Sequence, residues 1–145
     1  MHDLYNLLEI AIEIASHGHI RQRDKGGKPY ILHPLAVMLS MPEEDIEGRI
    51  VAVLHDVVED TNVTLDELYT IFPPSIVEAI DAISKRDTEV NKEYWARCKQ
   101  NSIAARVKIK DMLHNSSPER ISKLSEGHGK YLKKKYEEAL IYFQT

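Results

Sequence analysis

The sequence predicts an all-α fold, a single helical bundle, on three observations. Apolar residues recur every three or four positions along most of the chain. Cap residues and prolines punctuate those stretches where helices would begin. No segment alternates as a strand would, and no internal repeat is visible. Connections are short, so residues 1–145 read as one domain.

Each element follows from local chemistry. Leu4, Leu7, Leu8, Ala11, Ile14 and Ala15 form one apolar stripe behind Asp3, a good N-cap, and that helix ends near Gly18. Residues 18–30 form a polar loop with five basic side chains: His19, Arg21, Arg23, Lys25 and Lys28. His33-Pro34 opens a second helix, where proline costs no hydrogen bond. A third runs from Glu43 to about Asp60. Thr64 with Glu67 is a capping box, starting a short helix that ends before Pro73-Pro74. Further helices cover Pro74 to Ser84, Lys92 to Lys99, Ser102 to His114 and His128 to Phe143, with a polar loop over 85–92. Ser117-Pro118 marks one more start.

Composition narrows the function classes. Net charge is −4, which gives no electrostatic footprint for nucleic acid. One cysteine, Cys98, excludes an internal disulfide and a cysteine-based zinc site. No apolar run is long enough to span a membrane, and Met1-His2-Asp3-Leu4 lacks the pattern of a signal peptide. A reduced, cytoplasmic setting is expected. The oligomeric state is left open by the sequence.

The chemistry concentrates in residues 51–61. Val51-Ala52-Val53-Leu54 continues into His55-Asp56, then Val57-Val58-Glu59-Asp60-Thr61. A helix this apolar should be buried, yet it carries one histidine and three carboxylates. Burying such groups unpaired is very costly. A divalent cation resolves the conflict, since imidazole and carboxylate are ordinary ligands. In a regular helix His55 and Glu59 share one face, and Asp56 and Asp60 another. The plain alternative is a partly exposed helix with an acidic last turn. Asp111, one turn before Asn115 and one after Lys108, could add a carboxylate from a separate helix. His33 stands at a helix start, just after the basic loop.

His33, then His55-Asp56, then Asp111 follow the H…HD…D order of the HD-domain phosphohydrolases, which the chain resembles. Lys28-Pro29-Tyr30-Ile31-Leu32-His33-Pro34, Leu54-His55-Asp56-Val57-Val58-Glu59-Asp60-Thr61 and Val107-Lys108 with Asp111 and Asn115 resemble the alarmone hydrolase branch more narrowly. That branch is the RelA/SpoT-type hydrolase domain and its small free-standing relatives. The likeness spans roughly residues 5–140.

The resemblance implies one divalent metal per chain, manganese (Mn2+), held by His33, His55, Asp56 and Asp111. It implies that Glu59 and Asp60 position water and handle protons. It implies substrate contacts from Arg23, Tyr30, Asn115 and Lys85 or Arg86. The implied reaction removes the 3′-pyrophosphate of guanosine tetra- or pentaphosphate, leaving GDP or GTP. The same chemistry on an adenosine alarmone or the 2′-phosphate of NADPH is the alternative. A non-catalytic nucleotide-sensing module is a second alternative. No synthetase domain fits within 145 residues, so degradation without synthesis is expected. The loop Arg21-Gln22-Arg23-Asp24-Lys25-Gly26-Gly27 departs from the family's common R-K-x-G, which bears on the base. Lys110 stands where a small apolar residue is usual, and 85–100 matches weakly.

Overall fold

The computed structural model describes residues 3–145, so Met1-His2 of the leader reading lies outside it. Helices follow one another as α1 (Leu4–Gly18), α2 (Leu32–Ser40), α3 (Ile46–Leu54), α4 (Val57–Asp60) and α5 (Leu65–Tyr69). They continue as α6 (Pro74–Ile83), α7 (Asn91–Gln100), α8 (Ser102–Asn115), α9 (Pro118–Ile121) and α10 (Glu126–Gln144). Among the described residues the only extended pairing is an isolated bridge between Arg23 and Pro29. No helix among them is long and apolar enough to cross a membrane.

The caps behave as their chemistry requires. Asp3 accepts from the Tyr5 N–H at 2.9 Å and Thr64 from the Glu67 N–H at 3.2 Å. Asp45 caps α3 through the Gly48 N–H at 3.0 Å and also holds Arg106 of α8 by two bonds of 2.7 and 2.9 Å.

The core is built around α3, whose Ile50, Val51, Ala52, Val53 and Leu54 are fully buried. It packs on α1, α2, α6 and α8. Leu7, Ala11 and Ala15 of α1 close one side, and Ile76, Val77, Ile80 and Ile83 of α6 another. The apolar run therefore is the centre of the molecule.

One expectation needs correcting. Residues 43–60 do not form one helix: the helix starts at Ile46 and breaks at His55-Asp56, between α3 and α4. The His55 N–H tightens onto Ala52 O at 3.4 Å, and Asp56 adopts φ −104°, ψ −1°. Neighbours in a regular helix point about 100° apart. The break lets two adjacent side chains meet at one point. Two smaller shifts occur at helix ends: α10 starts at Glu126 rather than His128, capped by Ser125, and α7 begins at Asn91.

Candidate metal centre and its two cavities

Three parts of the fold deliver the central side chains. His33 comes from the first turn of α2, His55 and Asp56 from the α3–α4 break, and Asp111 from the C-terminal half of α8. His33, His55 and Asp111 are 2%, 3% and 4% exposed. Nε2 of His33 lies 2.8 Å from Asp111 Oδ1, and Nε2 of His55 lies 3.1 Å from the same oxygen. Asp56 Oδ2 is 3.0 Å from His55 Nε2 and 3.9 Å from His33 Nε2. His33, His55 and Asp111 thus meet, with Asp56 beside them against His55. His33, His55 and Asp111 form a group that could hold a metal ion.

The outer contacts suit that use. His55 Nδ1 donates to Ala52 O at 2.5 Å, which leaves Nε2 as the nitrogen that faces the cluster. Asp111 is held from three sides, by the imidazoles, by Lys108 Nζ at 2.9 Å and by Asn115 Nδ2 at 3.2 Å. The half-buried Lys108 ammonium also lies 5.3 Å over the Tyr94 ring. Tyr30 donates its hydroxyl to Asp56 Oδ2.

The charges are strongly coupled. Burial alone would raise the Asp111 carboxyl, but the charges of Lys108 and His55 outweigh it and hold the group well below its usual range. Asp56 is likewise held at about 2, against its own burial, chiefly by His55. Burial disfavours a charged His55, yet Asp56 and Asp111 push its imidazole well above the ordinary value. The point where these atoms meet therefore attracts positive charge. Two imidazole nitrogens and two carboxylates form a donor set that a divalent cation fits.

Glu59 and Asp60 stand at the rim of this cluster on α4, both more exposed than the four inner residues. Desolvation, then the nearby Asp56 charge, raises the Asp60 carboxyl. Desolvation also raises Glu59, against the Lys85 backbone N–H that bonds to its Oε1. Gln22 Nε2 donates to Asp60 Oδ2 at 3.3 Å.

Two cavities flank the centre. One, about 310 Å³, holds Arg23, Tyr30 and Asn115 together with Gln22, Arg120 and Tyr136. The other, about 150 Å³, reaches His55, Asp56 and Glu59 and gathers Lys85, Lys108 and Lys135. Tyr136 of α10 lines both. Three of the four expected substrate residues thus share one chamber, and Lys85 belongs to the other. Lys85 Nζ also bonds Asn91 Oδ1 at 3.0 Å. Lys110 lines neither chamber. Arg86 is outside both as well, against Asp81 at 3.6 Å.

Sequence reasoning missed Lys135, Tyr136, Arg120 and His114. The first three reach the chambers only because α9 and α10 fold back over α8. His114 carried a local signal, a histidine three residues after Asp111 on the same helix.

A family model for the HD domain matches residues 11–118. The chain belongs to the HD domain family. Within it, this HD domain is 33% identical over 126 residues to the bifunctional (p)ppGpp synthase/hydrolase SpoT of Escherichia coli K12, covering 78% of this chain. It is 33% identical over 119 residues to a guanosine-3′,5′-bis(diphosphate) 3′-pyrophosphohydrolase of Borreliella burgdorferi, covering 72% of this chain. The HD domain spans 18% of the length of each of these relatives. Among solved structures, a metazoan orthologue of SpoT described as hydrolysing ppGpp has the same fold, with a TM-score of 0.63, 20% identity and 94% of each chain covered.

Proposed function

We propose that this HD domain is a manganese-dependent hydrolase that removes the 3′-pyrophosphate of guanosine tetra- and pentaphosphate, giving GDP or GTP and pyrophosphate. The observation that carries the reading is the His33–His55–Asp56–Asp111 cluster, which borders a lysine-lined chamber at His55 and Asp56 and meets a nucleoside-sized chamber through Tyr30 and Asn115, bonded to Asp56 and Asp111. Relatives whose names include this hydrolase support the substrate.

His33, His55, Asp56 and Asp111 hold one Mn2+ per chain. A divalent cation at this point supplies Lewis acidity that eases deprotonation of water and offsets phosphate charge. Lys85, Lys108 and Lys135 bind the pyrophosphate oxygens in the smaller chamber. Arg23 stacks on the base in the larger chamber, while Tyr30 and Asn115 orient the nucleoside from positions that also steady Asp56 and Asp111. Glu59 and Asp60 orient the attacking water and take its proton, and their raised carboxyls make them stronger bases than ordinary carboxylates. The water oxygen forms a bond to the phosphorus joined to the 3′ oxygen, and that phosphorus–oxygen bond breaks. The same carboxylates return a proton to the departing 3′ oxygen.

A substrate panel tests this reading. Guanosine and adenosine 3′-pyrophosphates, NADPH and plain nucleoside triphosphates are incubated with Mn2+ and the protein. The expected result is turnover of the guanosine 3′-pyrophosphates above all others. Preferential release of phosphate from NADPH, or turnover only of the adenosine compound, overturns the substrate assignment. Asp56→Ala is expected to lose metal binding and turnover together.

A further inference from the structure

The two imidazoles of the cluster solve one problem in different ways. To hold an ion, each must offer a lone pair on the nitrogen that faces the centre, so each must then carry its proton on the other nitrogen. For His55 the backbone does this. Its Nδ1 lies 2.5 Å from Ala52 O, and a carbonyl oxygen can only accept. His33 has no carbonyl or carboxylate among the partners of its Nδ1. The group there is another imidazole, His114, with its Nδ1 at 2.7 Å. The two rings differ by 19° in plane with centroids 4.9 Å apart, an edge-to-edge approach that aims one nitrogen at the other.

At that distance one nitrogen holds the proton and the other accepts it. Suppose His33 accepted. Its own proton would then sit on Nε2, aimed at Asp111 Oδ1, and no lone pair would remain for an ion. If His33 donates, its Nε2 lone pair faces the cluster, matching His55. We propose that His114 is a positioning residue for the metal site: its Nδ1 accepts the Nδ1–H of His33 and thereby fixes the tautomer and ring plane of that ligand. This rests on the metal reading above. The arrangement is economical in chain terms. Asp111 and His114 are one turn apart on α8, so a single helix delivers one carboxylate and orients the histidine that faces it. His114 lines neither cavity, so its effect reaches substrate only through His33.

The test is Mn2+ affinity of metal-free protein by isothermal titration, for the wild type, His114→Leu, His114→Phe and His114→Asn. Asn carries its side-chain oxygen near the place of Nδ1 and keeps an acceptor there. Leu and Phe do not, and Phe keeps the ring's volume should Leu fail to fold. The expected result is wild-type-like affinity for His114→Asn and a loss of about 10- to 100-fold for the acceptor-free variants, the usual cost of removing an outer partner of a metal-bound histidine. Unchanged affinity in His114→Phe or His114→Leu overturns the role of His114 and leaves the metal reading standing. Equal losses in all three variants overturn it too, because the acceptor is then not the cause. No Mn2+ binding by the wild type removes the metal reading and this inference together.

Discussion

At the scale of single residues, the sequence carried the inner site well and its supports poorly. His55 and Asp56 were legible as polar groups in an apolar run whose unpaired burial would be prohibitive, and His33 and Asp111 joined them only through the resemblance to the H…HD…D order. Lys135 and Tyr136 were not, because a lysine or tyrosine on a polar helix says nothing about which neighbour it will face. Arg21 was also unreadable in this respect. It holds φ 70°, the left-handed region that favours glycine. Arg21 is exposed, so relief of that strain has no packing cost. Arg21→Gly is expected to stabilise the fold by about 0.5–1 kcal/mol, less than the full strain because glycine also frees the unfolded chain. Urea unfolding measures it, and a destabilised variant would show the conformation is not strained. Glu59 sets a second expectation. Glu59→Gln should leave Mn2+ affinity close to wild type and slow turnover by about 10²-fold or more. Equal rates would assign the proton chemistry elsewhere.

At the scale of elements, helix periodicity located most of the secondary structure, since α1, α5, α6 and α8 begin behind residues whose side chains or φ angles suit helix starts. The break between α3 and α4 was hidden. Val53 to Asp60 contains no glycine or proline, and the interruption comes from tertiary partners: Asp111 and Tyr30 draw His55 and Asp56 to one point. Asp45 links α3 to α8 and gives an element-scale test. Its Arg106 partner and the Gly48 N–H outweigh its burial and lower its carboxyl. A depressed carboxyl contributes stability that is present above the ordinary aspartate range and lost as pH falls through the folded value. Asp45→Ala is therefore expected to cost about 1 kcal/mol near neutrality, the usual worth of an N-cap. The gap between variant and wild type should begin to narrow below about pH 4, where the unfolded aspartate takes up its proton, and close only as pH falls through the lower folded value. Denaturant unfolding at neutral and acid pH checks both parts. A gap that persists in acid would mean the carboxylate's charge is not what α3 uses.

At the scale of the whole molecule, the fold is a support for one charged point in an apolar interior. Burying α3 supplies the core, and its interruption brings His55 and Asp56 together at the end of that core. The composition and periodicity of the chain were enough to read the bundle. The pairing of two chambers across Tyr136 needed the packing of α10, which no local pattern encodes. Metal and fold should be linked. An ion that binds only the folded state adds about 2.7 kcal/mol at a hundredfold excess over its Kd. Mn2+ is expected to raise Tm in the wild type and leave Tm of His33→Ala unmoved, as read by thermal unfolding with and without chelator.

The central claim is hydrolysis at the 3′ position, and product analysis tests it most directly. Purified protein, Mn2+ and guanosine 3′,5′-bis(diphosphate) are resolved by ion-exchange chromatography with a pyrophosphate assay. The expected result is GDP and pyrophosphate in equal amounts, abolished by chelator and by Asp56→Ala. Unchanged substrate, or single phosphate released in place of pyrophosphate, would contradict the account.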